Sequence, residues 1–196
     1  QGESGYDGGA TEVAVGENDV VTGLKIHHNF SYNSCGFFEV SGFGTFSDSV
    51  FHNNVSIDSA WAMLLQVNET KLENIRWENN TFVHHKDSYT PSIAMIYRAE
   101  LTPDTVFLKN NLWIFYETNT WNATINDAFN ASNNLIVTSD PGVININGIN
   151  ASDYDLTAGS QAIDQGASVT SAGLDFLNRP APSGSGMDIG AFEYQH

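Results

Sequence analysis

Short apolar bursts broken by single polar residues run along most of this chain, and they recur around asparagine. The recurring unit is a polar residue, then Asn, then an apolar residue or Thr: His28-Asn29-Phe30, Asn53-Asn54-Val55, Asn79-Asn80-Thr81, Asn110-Asn111-Leu112 and Asn133-Asn134-Leu135. The second Asn falls at 29, 54, 80, 111 and 134, at intervals of 25, 26, 31 and 23 residues. That spread is too wide for a helical repeat and suits stacked coils joined by loops of unequal length. Five and three residues before each Asn stand Leu24/Ile26, Ser49/Phe51, Ile75/Trp77, Val106/Leu108 and Phe129/Ala131, which read inward and make Trp77 core. One and three residues after it, Phe30/Tyr32, Val55/Ile57, Thr81/Val83, Leu112/Ile114 and Leu135/Val137 read inward again. This leaves Phe82 and Trp113 as exposed aromatics on adjacent coils. A third strand is expected over 10–15, 37–41, 64–68 and 96–100, and more weakly over 123–127.

The pattern resembles the right-handed parallel β-helix, an all-β solenoid, here of about six coils with a C-terminal capping segment. Successive coils of such a fold pair in parallel about 4.8 Å apart. Asn serves the bends because it tolerates left-handed backbone angles and its amide can bond the amide one coil away. The expected division is a β-helix over 1–150 and a closing segment over 151–196 packed on it.

Charge narrows the partners. Against 23 Asp plus Glu stand 7 Lys plus Arg, a formal charge of -16, so nucleic acid and polyanionic glycans are disfavoured. No apolar run is long enough to span a membrane. The lone Cys35 forbids an internal disulfide and is expected to be a small buried filler. Secretion is expected, with any leader removed or lying upstream of Gln1.

The repeat ends near residue 150, and a specific set of motifs follows: Tyr154-Asp155-Leu156, Ser160-Gln161-Ala162-Ile163-Asp164-Gln165-Gly166, Asp175, Arg179-Pro180 and Asp188-Ile189-Gly190-Ala191-Phe192-Glu193-Tyr194. This stretch resembles the closing segment of secreted bacterial β-helix proteins of the choice-of-anchor type. Gln161 departs from the usual Pro, and the usual Gly after Asp175-Phe176 is missing. The resemblance implies extracellular work on polysaccharide and no single reaction. A segment of this kind is expected to cover the last coil, whose open strand edges would recruit other chains.

The third strand is the expected site. Its outward positions stack as Ala10, Phe37, Leu64, Ile96, then Glu12, Glu39, Gln66, Arg98, then Ala14, Ser41, Asn68, Glu100. The second of these columns is wholly polar, and loops carrying Trp61, Tyr89 and Trp121 precede it. Phe37, the rings of Trp61, Tyr89 and Trp121, and the Glu12, Glu39, Gln66 and Arg98 groups would together hold a sugar chain. Pyranose faces stack on aromatic rings, and hydroxyls take bidentate hydrogen bonds. By architecture, size and acidity the chain resembles the β-helical carbohydrate-binding modules of family 89 appended to bacterial xylanases. That resemblance implies a non-catalytic module binding a neutral plant polysaccharide, xylan above others, and targeting a covalently linked secreted glycoside hydrolase. The alternative is a catalytic β-helix, a glycoside hydrolase before a lyase, with Glu12 and Glu39 as acid and nucleophile on neighbouring coils. The motifs of polygalacturonases and pectate lyases are missing. No cofactor and no metal are expected: His27 and His52 share an outward position on adjacent coils and His84-His85 sits in the longest loop, but with no third ligand at fixed spacing all four read as solvent-facing. Ca²⁺ is an alternative, at the acidic run Glu3, Asp7, Glu12, Glu17 and Asp19 or between the Glu12 and Glu39 carboxylates. Seven Asn-x-Ser/Thr sequons begin at 29, 54, 68, 79, 122, 130 and 150, and ladder chemistry accounts for those at 29 and 54 better than glycosylation does.

Overall fold

The computed structural model describes residues 9–67, 71–85, 92–97, 105–115, 129–171 and 173–196, with backbone alone at 66–67 and 92–97. It is an all-β parallel solenoid of four sheets. One sheet, A, orders β1 (Gly9–Val15), β5 (Gly36–Gly42), β9 (Trp61–Val67) and β13 (Ser92–Tyr97). A narrow sheet, B, joins β2 (Val20–Thr22), β6 (Thr45–Ser47) and β10 (Lys71–Glu73). The sheet before the ladder Asn, C, runs through β3 (Lys25–His27), β7 (Val50–His52), β11 (Ile75–Glu78), β14 (Val106–Lys109) and β16 (Asn130–Ser132). The sheet after it, D, runs through β4 (Phe30–Tyr32), β8 (Val55–Ile57), β12 (Thr81–His84), β15 (Leu112–Phe115) and β17 (Leu135–Val137). The solenoid has about four turns, with β16 and β17 as a partial further one, against about six expected. Sheet B was not foreseen, because its short strands do not flank the ladder Asn that marks the short strands of sheets C and D.

The asparagine ladder forms as expected. Each ladder Asn accepts, on Oδ1, the backbone N–H and side-chain Nδ2–H of the Asn one coil earlier, from Asn29→Asn54 through Asn111→Asn134 at 2.9–3.1 Å. Asn54, Asn80 and Asn111 are fully buried. The left-handed backbone sits one residue earlier, at His28, Asn53, Asn79, Asn110 and Asn133, with φ between 51° and 56°. The division of labour is physical: the residue before the ladder turns the corner, and the ladder Asn fills the inside of that corner.

That geometry reverses the inside and outside of sheet D. The ladder Asn points inward, so strict alternation sends the next residue out and the one after it in. Phe82 and Trp113 are therefore interior, stacked on each other at 4.5 Å and 13°, in one core cluster with Phe51 and Trp77, themselves stacked at 4.4 Å and 8°. Each such pair contributes about 0.5–1.5 kcal/mol beyond its buried area. Val55, Ile57, Val83, Leu112 and Ile114 face outward, and they are buried because the C-terminal segment lies on them with Val143, Tyr154, Leu156, Ala162, Ile189, Ala191 and Phe192. Their apolarity records that cover, and the expectation that Phe82 and Trp113 were exposed is corrected.

The closing segment is a lengthwise strap and not an end cap. Side-chain N–H groups of the corner column reach its carbonyls coil by coil: Asn133 to Gln165, Asn110 to Ala167, Asn79 to Asp188, Asn53 to Leu174 and His28 to Asp175. The strap thus spans the solenoid from its last coil to its first, and Asn130, Ala131 and Ser132 of the last coil stay exposed. Its motif residues form a buried polar knot. Asp175 accepts the backbone N–H groups of Leu177, Arg179 and Glu193 and the Arg179 guanidinium, which also forks onto Asp155 at 2.7 Å. Burial opposes the charge on Arg179, but the hydrogen bonds it donates to Asp155 and Asp175 outweigh it and raise its pKa. Asp188 accepts the N–H of Asp164 and Tyr194, and Glu193 those of Ser183 and Asp188. The motif recognised in the sequence is a set of backbone clamps. Cys35, expected to be a buried filler, is exposed.

Candidate functional site

Sheet A carries the residues singled out from the sequence, and its register decides which of them meet. Glu12 pairs with Glu39 across β1 and β5, as expected. Glu39 then pairs with Leu64, and Leu64 with Met95, so the row is Glu12, Glu39, Leu64, Met95. Gln66 stands beside Ser41 and Tyr97, two positions further along. The single polar row of Glu12, Glu39, Gln66 and Arg98 is therefore corrected: β9 begins at Trp61, three residues earlier than alternation placed the third strand. Polar register positions instead step diagonally across the sheet, from Glu12 and Glu39 to Ser41 and Gln66.

Burial divides the same residues. Glu12 is exposed, whereas Glu39 is 4% exposed. Phe37, assigned to the outer wall, is buried with its ring 6.2 Å from Trp77 and 5.8 Å from Phe82 in the solenoid core. The register is interrupted at that point: Gly9–Gly36–Trp61 and Thr11–Phe38–Met63 are in register, but Ala10, Phe37 and Ala62 between them are not paired. Trp61, expected on a rim, is 2% exposed. Its indole occupies the space above Gly36, where a Cβ would fall 2.0 Å from the indole nitrogen. Gln66 is known by register alone, and Tyr89, Arg98 and Trp121 lie outside the described residues. Of the eight expected contacts, Glu12 and Glu39 are the pair brought together.

A cluster lies on sheet C and its first corner, where His27 and His52 were expected to share an outward, solvent-facing position on adjacent coils. His27 and His52 stack at 4.8 Å and 19°, and His28 meets them edge-on at 5.0 and 6.0 Å. Burial, then His27, His28 and Lys25, lower the His52 pKa from 6.5 to about 4; burial, His28 and Lys25 lower that of His27. The available signal was His28 itself, which occupies a corner held by Asn in the other four coils. Stacked rings keep their nitrogens in parallel planes, and among the described residues no group of three His, Cys, Asp or Glu is arranged to hold a metal ion. The acidic run offered for Ca²⁺ has Glu12, Glu17 and Asp19 exposed, while Glu3 and Asp7 lie outside the described residues.

No helix among the described residues is long and apolar enough to cross a membrane. Comparison with protein-family models, with curated proteins and with solved structures finds no match to this chain, so the parallel solenoid stands as its classification.

Proposed function

We propose that this chain is a non-catalytic carbohydrate-binding module of the kind attached to secreted bacterial glycoside hydrolases, holding a neutral plant polysaccharide, xylan above others. The choice-of-anchor resemblance of residues 154–194 and the likeness to family 89 modules support this reading by analogy. The observation that carries it is the diagonal of polar positions on sheet A, with Glu12 exposed beside Glu39 and the Ser41–Gln66 pair next along. An oblique line of carboxylate, hydroxyl and amide groups suits the hydroxyls of an extended sugar chain, and the charge of -16 turns away uronate polymers. The contact set is Glu12 with the register positions of Ser41 and Gln66, and the buried Glu39, Phe37 and Trp61 leave it.

Native-gel migration in soluble xylan and other neutral glycans tests the proposal. The protein is expected to be retarded in at least one, and Glu12→Ala to migrate freely there while matching the parent in glycan-free gels. Normal migration in every glycan overturns the reading.

One observation favours a second reading, a glycoside hydrolase. Glu12 and Glu39 are direct cross-strand neighbours, one in solvent and one buried. Parallel strands lie about 4.8 Å apart, near the roughly 5–5.5 Å separation of a retaining pair. Release of reducing ends from a neutral glycan, abolished by Glu12→Gln, would establish it, and silence across the panel would remove it.

A further inference from the structure

The two ends of the asparagine ladder are unlike each other. Within the stack, each ladder Asn receives on Oδ1 the backbone N–H and an Nδ2–H of the Asn one coil earlier. It sends its other Nδ2–H to the carbonyl three residues before that Asn: Asn54 to Ile26, Asn80 to Phe51, Asn111 to Trp77 and Asn134 to Leu108. At the first coil, Asn29 Oδ1 receives no donor among the described residues, and Asn29 Nδ2 turns back to the His27 carbonyl of its own coil at 3.0 Å. At the last coil, Asn134 keeps its backbone N–H and one Nδ2–H without an acceptor among the described residues. One end of the ladder offers the acceptor and the other offers the donors that every inner step of the ladder joins.

The outward columns of sheet D end in the same complementary way. Phe30 pairs with Val55 and Tyr32 with Ile57 at the first coil, and Leu112 pairs with Leu135 and Ile114 with Val137 at the last. The strap brings Val55, Ile57, Leu112 and Ile114 to full burial. Phe30 and Tyr32 remain 45% and 43% exposed, and Leu135 and Val137 are half-buried. A coil bearing Leu135 and Val137, laid before β4 in the ladder register, sets these two side chains beside Phe30 and Tyr32. Residues 129–137 carry no charge, so such a coil brings no like-charged group against Glu12, Glu17, Asp19 or Lys25 of the first coil.

We propose that the chain associates with further copies of itself head to tail, the β16–β17 coil of one copy seating on the β3–β4 coil of the next so that the ladder runs on through the junction. Asn134 of the leading copy gives its N–H and Nδ2–H to Asn29 Oδ1 of the following one. Asn29 Nδ2 leaves the His27 carbonyl for the carbonyl of Ala131 in the leading copy, three residues before Asn134. The open edges of sheets C and D supply the backbone groups for parallel pairing. The contact joins two different surfaces, and each added copy presents a new open end, so the assembly grows as a rod and does not close as a pair. The charge of -16 on each copy opposes approach at long range, and salt screens it, so association strengthens with ionic strength.

Sedimentation velocity from micromolar to millimolar protein tests the junction, in about 0.1 and 1 M NaCl, where charges are screened over about 10 and 3 Å. Species larger than a dimer are expected to grow with concentration, and more so at the higher salt. Phe30→Glu charges the exposed first-coil position and blocks the head. Ala131→Pro, at an exposed position of the outermost strand of sheet C, blocks the tail, because proline on an edge strand bars a further strand. Each variant alone is expected to sediment as a monomer. Their equimolar mixture is expected to give a dimer and nothing larger, since one usable tail and one usable head remain between them. Thermal melts matching the parent show that both variants fold; Asn29→Ala for the head and Leu135→Glu for the tail replace any that does not. A parent protein that stays monomeric at every concentration and both salts overturns the proposal. Association that stops at a dimer, or that survives either variant, overturns it equally, because the contact then lies elsewhere on the molecule.

Discussion

Asn80→Ala probes the inner ladder directly. The Asn80 side chain accepts from Asn54 N at 3.0 Å and Asn54 Nδ2 at 2.9 Å, and donates to the Phe51 carbonyl and to Asn111 Oδ1, each at 2.9 Å. Truncation removes these contacts from a site that water does not reach, since Asn80 is fully buried. Two of the partners keep an alternative: Asn54 Nδ2 still donates to the Ile26 carbonyl, and Asn111 Oδ1 still accepts from Asn80 N. The Asn54 N–H and the Phe51 carbonyl lose their side-chain partner inside the stack. At about 1 kcal/mol for each of the two bonds whose partner keeps an alternative and about 1–3 kcal/mol for each of the two buried groups left bare, the expected cost is about 4–8 kcal/mol. For a chain of this length that lowers Tm by roughly 10–30 °C. The control is Asn134→Ala. This ladder member accepts from Asn111 and donates to Leu108 in the same way, but it is half-buried on the outermost coil, so water replaces much of what is lost and about 1–2 kcal/mol is expected. Urea and thermal unfolding of both variants give the comparison. Equal losses at the two positions would refute the argument that burial, and not the presence of an amide, sets the worth of a ladder bond.

Three further expectations follow from the packing and the electrostatics. Trp113→Ala should cost about 3–5 kcal/mol in thermal unfolding, because the ring is in the solenoid core against Phe82, and a loss under about 1 kcal/mol would return it to the surface. Gly36→Ala places a methyl on the Trp61 indole and should lower Tm with a shift in tryptophan emission, whereas an unchanged melt would mean that the indole is free to move. Burial raises the Glu193 pKa from 4.5 to about 7, so the native state holds a proton that the unfolded chain releases, and stability is lost as pH climbs through that window. Relative to the parent, Glu193→Gln should gain stability between about pH 4.5 and 7.5 in melts run across pH, and a flat difference would place the carboxyl in solvent.

The fold class and its period were legible because a solenoid writes the same local requirement once per turn. A buried corner needs an amide at 29, 54, 80, 111 and 134, and no tertiary information is required to see the interval. The strands ahead of the ladder were legible for the same reason, Trp77 included. The strands behind it were assigned to the wrong face. An apolar side chain at Val55 or Leu112 records burial without saying which side buries it, and a strap that follows the whole repeat in the chain supplies the cover. The Glu12–Glu39 pairing came through intact because the two seven-residue strands keep a constant offset of 27 residues on either side of the unpaired Ala10 and Phe37. The next step, to Leu64 and not Gln66, depended on where β9 starts, and that start is set by the fit of the Trp61 indole over Gly36.

By itself, the amino-acid sequence determined that the chain coils in parallel around an asparagine ladder, that its surface is strongly acidic, and that a distinct segment follows the repeat. These are local or additive properties: a corner's need for an amide, an alternation of period two, a sum of charges. Only the tertiary structure decided that the segment runs lengthwise along the solenoid, that the aromatics of sheet D fill the interior, and that His28 at the first corner meets the stacked rings of His27 and His52 edge-on. Each of these depends on which surfaces meet, and a one-dimensional pattern records that a residue is covered without naming what covers it.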